Sequence, residues 1–327
     1  MPTGVLVPEQ HDDVPAFAER AERLGYDSVW APELWGRDAF VALTRAAEAT
    51  TDVTLGTAIV NAYGRSPATL AQATATLAEA ADSGVRLGIG TSTQKVVEDL
   101  HGMSFDNPPR RLHETVELTR RFLDADGRVS YAGELFDVAD FPGLDADVPV
   151  YAAALGPSNR RATGRTADGW LPHNIPFDRL SEAFETIAET AHEVGRDPED
   201  ITVAPYVPSA VSDDPAEAIR AARGHLAYYV GSGEGYRRAV AQSHPDAAEA
   251  VAEAWRAGDR EDARAAVTDE MMADLTVAGA PADAREQFEE IASLDIIDDP
   301  LVVIPGGASE EMTEQTVAAL APEVTDL

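Results

Sequence analysis

Apolar and polar positions fall into two alternating patterns along this chain. Short continuous apolar runs give way, again and again, to segments with an apolar repeat of three to four residues. Thr3–Pro8 is followed by an amphipathic stretch over Val14–Leu24, closed by Gly25. Asp27–Ala31 precedes Ala39–Ala49, Val53–Val60 precedes Ala68–Ala81, and Val85–Gly90 precedes Arg110–Leu123. Then come Val148–Ala153 with a short helix after Gly156, Gly169–Leu171 with Phe177–Val194, and Ile201–Tyr206 with several helices. Leu301–Ile304 and Glu310–Leu320 end the series. The short runs read as strands and the repeating segments as helices. Apolar strands flanked by helices are buried on both faces, which is the habit of parallel sheets. Eight such units predict an α/β fold, a (β/α)8 barrel formed as a single domain over residues 1–327.

Two spacings break the rhythm. About sixty residues separate the fourth and fifth strands, with a small hairpin expected over Val129–Tyr131 and Leu135–Val138. Nearly a hundred separate the seventh and eighth, largely helical from Pro215 to Leu294. Barrel sites are built from loops at the C-terminal strand ends, so insertions after strands four and seven are candidate lids or oligomer surfaces.

Composition changes the picture in one respect. Acidic residues number 58 against 25 basic, a net charge of −33, and Lys95 is the only lysine. The acids are spread through helical segments, which fits a surface adapted to molar salt, where the screening length falls to about 3 Å. A haloarchaeal source and a high-salt cell interior are therefore expected. Clustered positive charge is missing, so nucleic acid is not an expected partner. No run approaches the roughly 20 apolar residues that span a bilayer, and no leader-like segment opens the chain. Without cysteine there are no disulfides or thiolate sites. The expectation is a cytoplasmic protein acting on a small molecule, as a homo-oligomer (dimer or tetramer).

Searched by chemistry, the seven histidines form no metal-binding pair and no H-E-x-x-H helix. No G-x-S-x-G nucleophile turn is found. A better signal is Ala152–Arg161, where a strand end passes through Gly156-Pro157 into a helix carrying Ser158, Arg160 and Arg161. Free N–H groups, the helix dipole and arginines there suit an anion such as phosphate. At the fourth strand's end Gly88 and Gly90 would let a flat ring approach the backbone, with hydroxyls on Thr91, Ser92 and Thr93. Ile59-Val60-Asn61 stands at the end of the third.

In order along the chain, Glu19–Trp30, Leu55–Pro67, Leu87–Gly90, Pro149–Asn159, Ala167–Trp170, Val267–Met271 and Ala278–Asp283 resemble the luciferase-like flavin and deazaflavin oxidoreductases. Within that superfamily they are most similar to the methylenetetrahydromethanopterin reductase branch. The resemblance implies coenzyme F420 as cofactor, with FMN the alternative, and hydride transfer to or from a small organic substrate. It implies that Asn61, Gly90 and Thr91 line the ring, backed by a non-proline cis peptide at Ala58-Ile59. Leu155, Gly156, Pro157 and Ser158, with Arg160, would hold the tail phosphate, and Gly169-Trp170 would close the pocket.

Two segments depart from the pterin reductases. The first strand reads Gly4-Val5-Leu6-Val7-Pro8, without their internal acid, and Gly90 leads into Thr91-Ser92-Thr93 where they keep an acidic residue. A pterin reductase, an FMN-dependent monooxygenase and a non-catalytic flavin-binding protein thus stand as alternatives. Hydride transfer calls for a group that handles a proton. The candidates at strand ends are Glu9, Glu33 and His173, with Glu9 first because it lies nearest the position of that missing acid.

Overall fold

The computed structural model describes residues 1–322; residues 323–327, the end of the expected single domain, lie outside the described residues. Helices start where short polar side chains can satisfy free backbone donors. Asp13, Asp38, Ser66 and Asp214 accept N–H groups in the first turns of helices Val14–Arg23, Ala39–Ala47, Pro67–Ala80 and Pro215–Ser232. Between them lie strands β1 (Gly4–Leu6), β2 (Ser28–Ala31), β3 (Thr54–Asn61) and β4 (Val85–Gly90). Next come β5 (Arg128–Ala132), β6 (Asp137–Pro142), β7 (Val150–Ala152), β8 (Gly169–Trp170) and β9 (Thr202–Val203). β10 (Tyr206–Val211), β11 (Val277–Gly279) and β12 (Leu301–Val303) complete the set.

Ten strands form one curled parallel sheet in the order β11-β10-β12-β1-β2-β3-β4-β7-β8-β9. The pairing follows the repeated strand–helix pattern, except around the seventh apolar run. A continuous strand is expected over Ile201–Tyr206, but β9 and β10 stand apart, divided at Ala204-Pro205. Pro205 has no N–H to give and regular pairing is interrupted there, while bonds run to both sides across it: Ala204 and Tyr206 N–H donate to Trp170 O and Pro172 O, and Val203 O and Pro205 O accept from Asp298 and Leu301. β9 pairs with β8, and β10 pairs with β12 and with the unforeseen β11. β5 and β6 make the expected antiparallel hairpin, but the second arm begins at Asp137, two residues later than expected, and runs to Pro142. Its turn is fixed from outside, by Glu114.

Inside the curl pack Leu6, Trp30, Ala58, Tyr151, Leu171, Ala204, Leu301 and Val303. The two large rings fit because glycines face them: a Cβ at Gly56 would lie 2.3 Å from Trp30, and one at Gly169 2.2 Å from Tyr151. Outside the curl, Val29, Leu55, Leu87 and Val150 pack with Phe17, Leu43, Leu70 and Leu112 of the helices. The helices of the long insertion carry their own core, including Leu226, Val251 and Met271. At the N-terminal strand ends Arg86 pairs with Asp299 and lies over the Trp30 and Tyr151 rings. That end is plugged, so ligand access falls to the C-terminal ends.

Glu114, buried on helix Pro108–Asp124, accepts N–H groups from Glu134 (2.8 Å), Leu135 (2.8 Å) and Phe136 (3.2 Å) of the hairpin turn. Burial alone pushes its carboxyl up, but the three donors and Arg110 outweigh that and hold it below the usual carboxylate range. Glu114→Ala leaves those donors without an acceptor and should cost about 3–5 kcal/mol, as for a broken buried pair. Because the folded pKa lies below the unfolded one, this stabilisation is complete above the unfolded carboxylate pKa and fades as pH falls through the folded value. Urea melts at neutral and acid pH test both statements. An unchanged midpoint in the variant would refute the anchoring role.

Candidate functional site

β3 and β4 carry the first wall of the site. Their register shifts between Thr57 and Val60 and then restores Asn61 opposite Gly90. The Ala58–Ile59 peptide within this irregularity is cis, as the resemblance implies. Gly90 has no side chain, and a Cβ there would lie 2.9 Å from Ile59 and 3.3 Å from Ala153. Ile59 and Ala153 thus pack closely against Gly90 at the strand end where a ring is expected. Asn61 is buried; its Oδ1 accepts from the Tyr63 N–H at 2.9 Å, while among the described residues its Nδ2 has no partner. Asn174, just past β8, is buried with both Nδ2 and Oδ1 unpartnered among the described residues. Buried amides in that state are rare in a finished core, because each lost hydrogen bond costs stability. Thr91, following Gly90 at the end of β4, is half-buried.

The turn after β7 carries the second wall. Gly156 caps helix Pro157–Thr166 without any side-chain cap, leaving first-turn N–H groups available. Gly156, Pro157 and Ser158 are exposed and Leu155 is half-buried. Arg160 turns away from this surface: its Nε donates to Leu155 O at 2.8 Å and its Nη1 to Ala183 O at 3.1 Å. It braces the turn from within, while Arg161 reaches Ser158 Oγ at 3.3 Å. Trp170 also points outward. Its ring packs near Phe184, and its Nε1 donates to Ala154 O at 2.8 Å. Alternation along β8 puts Gly169 inside and Trp170 behind the turn, where it supports the pocket wall.

The three proton-handling candidates are differently employed. Glu9 Oε1 accepts the N–H groups of Trp35 (2.5 Å) and Gly36 (3.2 Å), tying the first strand's loop to the second's. Glu33 is gripped by both Arg65 guanidinium nitrogens and also accepts the Ala39 N–H at 3.0 Å. His173 is buried in a ring of aromatic residues that histidine spacing alone does not reveal. Its Nε2 lies 3.4 Å from His225 Nε2. Its ring centroid is 4.8 Å from Tyr206, 4.4 Å from Tyr229 and 5.4 Å from Tyr236. The one signal in the sequence is that His225 and Tyr229 are four apart, on one face of helix Pro215–Ser232.

This wall is uncharged. Burial, and then His225, holds His173 well below the usual histidine range; burial brings His225 down to about 4. Burial raises the phenols of Tyr206 and Tyr229, and pushes Tyr236 up to about 12. Helix Glu234–Val240, which carries Tyr236, also meets the turn, since a Cβ at Gly235 would lie 3.7 Å from Leu155. The site therefore combines unpaired amides, an open helix N-terminus and a neutral His/Tyr wall. Such a set can seat a flat, hydrogen-bonding ring with an anionic tail.

Comparison with known proteins points the same way. The sequence model of luciferase-like monooxygenases matches residues 2–296. The 5,10-methylenetetrahydromethanopterin reductase of Methanolobus tindarius is 28% identical over 315 residues, covering 94% of each chain. An F420-dependent hydroxymycolic acid dehydrogenase of Mycobacterium tuberculosis is 32% identical over 225 residues, covering 63% of this chain and 61% of that one. Among solved structures, the coenzyme F420-dependent tetrahydromethanopterin reductase of Methanopyrus kandleri superposes with a TM-score of 0.81 at 23% identity. The match covers 98% of this chain and 97% of that one.

Proposed function

The chain belongs to the luciferase-like monooxygenase family, and from that premise we propose that it is a coenzyme F420-dependent oxidoreductase, transferring hydride between the deazaflavin and a small organic substrate. The observation that carries this reading is the orphaned Asn61 amide at the end of β3, opposite Gly90 of β4. Asn61 is buried opposite Gly90, and among the described residues its Nδ2 has no partner. A deazaflavin ring presents carbonyl groups that accept from such a donor. When bound, the cofactor supplies the hydride chemistry; the chain's part is to bind, orient and exclude water.

In this reading the sheet is that of a (β/α)8 barrel with insertions after its fourth and seventh strands, built as one domain. Asn61, Gly90 and Thr91 line the ring, backed by Ala58 and Ile59. Leu155, Gly156, Pro157 and Ser158 surround the tail phosphate, which the N–H groups of this turn other than Pro157's receive at the positive end of a helix dipole. Arg160 and Trp170 act from behind, holding the carbonyls of Leu155 and Ala154. Glu9 and Glu33 fix the loops around the opening. Among the described residues no helix is long and apolar enough to cross a membrane. The exposed Trp35, Leu100 and Met103 supply apolar surface for the homo-oligomer. A cytoplasmic location and a haloarchaeal source complete the reading.

Titration decides the cofactor. Oxidised deazaflavin should bind at micromolar concentration, read by quenching of its fluorescence in molar KCl, and FMN should bind more weakly. Tighter FMN binding, or turnover with FMN and oxygen, would turn the reading into a monooxygenase.

A further inference from the structure

Behind the turn after β7, the long insertion closes over a small cavity that the site described above does not use. Arg160 of helix Pro157–Thr166 lines it on one side, and Arg179 and Glu182, at the start of helix Leu180–Glu193, on another. Ala239, Gln242 and Ser243, at the end of helix Glu234–Val240, cover it. Its volume is about 40 Å³. A single water needs about 10–15 Å³, so the space holds a small ion or a few waters and is far too small for a cofactor ring.

Arg160 reaches this cavity with only 7% of its surface exposed. Its Nε and Nη1 are spent on the carbonyls of Leu155 and Ala183, and among the described residues its guanidinium has no carboxylate partner. That is unexpected in a chain with 58 acidic residues. Glu182, the carboxylate that lines the cavity, is held by Arg179 at 2.5 Å. Two guanidiniums and one carboxylate leave the lining with one positive charge. Burial holds Arg160 below the usual guanidinium range, and Glu182 pulls the other way. A buried charge without a counter-ion is costly, and water can hydrogen-bond to it without neutralising it. Arg179, Gln242 and Ser243 are exposed and form a rim through which an ion can enter.

We propose that this cavity is a binding site for a small monovalent anion of the halide class, chloride, which balances the charge of Arg160. The ion firms the bridge that Arg160 makes from Leu155 O to Ala183 O, and so ties halide binding to the order of the turn. The site needs neither cofactor nor substrate and stands apart from the deazaflavin reading.

The test uses the full-length protein at fixed, molar ionic strength, with chloride replacing gluconate, an anion too large for the cavity. Protein-dependent broadening of the ³⁵Cl resonance should saturate at millimolar chloride. Crystals grown in gluconate and soaked in KBr should show bromine anomalous density within hydrogen-bond reach of the Arg160 guanidinium. Gln242→Glu adds a negative charge at the exposed rim, and Arg179→Gln removes a positive one. Each should raise the half-saturating chloride concentration by about tenfold or more, with an unchanged circular-dichroism spectrum. Replacing gluconate with chloride should also raise the wild-type melting temperature by a few degrees, because the ion binds only the folded chain. That increment should vanish in Gln242→Glu, while the general rise with ionic strength persists in both proteins. Broadening that does not saturate, or saturates equally in both variants, overturns the proposal. So does bromine density confined to other places. Density in the cavity without saturable broadening in solution would mean an adventitious ion only, and would overturn it as well.

Discussion

Gly156→Val should leave the fold intact and weaken deazaflavin binding by about 10²-fold or more. The residue has φ −86°, a conformation open to any side chain, and a Cβ there would meet nothing within 4 Å. Folding thus has no objection to valine, and the melting temperature should not move. The space it fills is the approach to the unpaired N–H groups at the start of helix Pro157–Thr166, where the phosphate is proposed to sit. Hydrogen bonds to a charged group contribute about 1.5–3 kcal/mol each, so blocking one or two accounts for the loss. Ser158→Ala should cost about one such bond. Arg160→Ala should behave differently, because that side chain holds Leu155 O and Ala183 O. It should lower stability as well as affinity. Fluorescence titration and thermal melts on the three variants separate these outcomes. Full affinity in Gly156→Val would move the phosphate elsewhere.

The melting temperature of the wild-type protein should climb steadily from dilute buffer to molar KCl, by on the order of 10 °C or more. The cause is the net charge of −33 on 327 residues. In dilute buffer the Debye length reaches about 30 Å, comparable to the molecule, and every carboxylate repels many others. In molar salt it shrinks to about 3 Å and only near neighbours matter. At roughly 2–4 °C per kcal/mol for a chain of this size or somewhat smaller, the rise corresponds to several kcal/mol of relieved repulsion. Ion pairs such as Arg20–Glu314 and Arg237–Glu249 weaken with salt and oppose the trend. They cannot reverse it, because carboxylates outnumber cations 58 to 25. A melt independent of KCl would contradict the halophilic reading.

Much of the architecture was legible before any coordinates because strand and helix leave periods in the sequence. Val85–Gly90 is β4 to the residue, and Gly156-Pro157 opens a helix as its turn chemistry requires. Apolar runs with both faces buried could be read as parallel strands, and the strand ends then named Asn61, Gly90, Ser158 and His173 as candidates. Local pattern encodes such things, because backbone propensity and burial act over a few neighbouring residues. The tertiary structure alone decided what each candidate side chain faces. It turned Arg160 inward onto two carbonyls, set Trp170 behind the turn, and spent Glu33 on Arg65. It interrupted the seventh strand at Pro205, which has no N–H to give, while keeping bonds to the strands on both sides. It also brought His225 to His173 across 52 residues of sequence. No spacing predicts that meeting, since it depends on how a long insertion folds back over the strand ends. Propensity is a property of neighbours in the chain, whereas a partner is fixed by the curl of the sheet and the packing of distant helices.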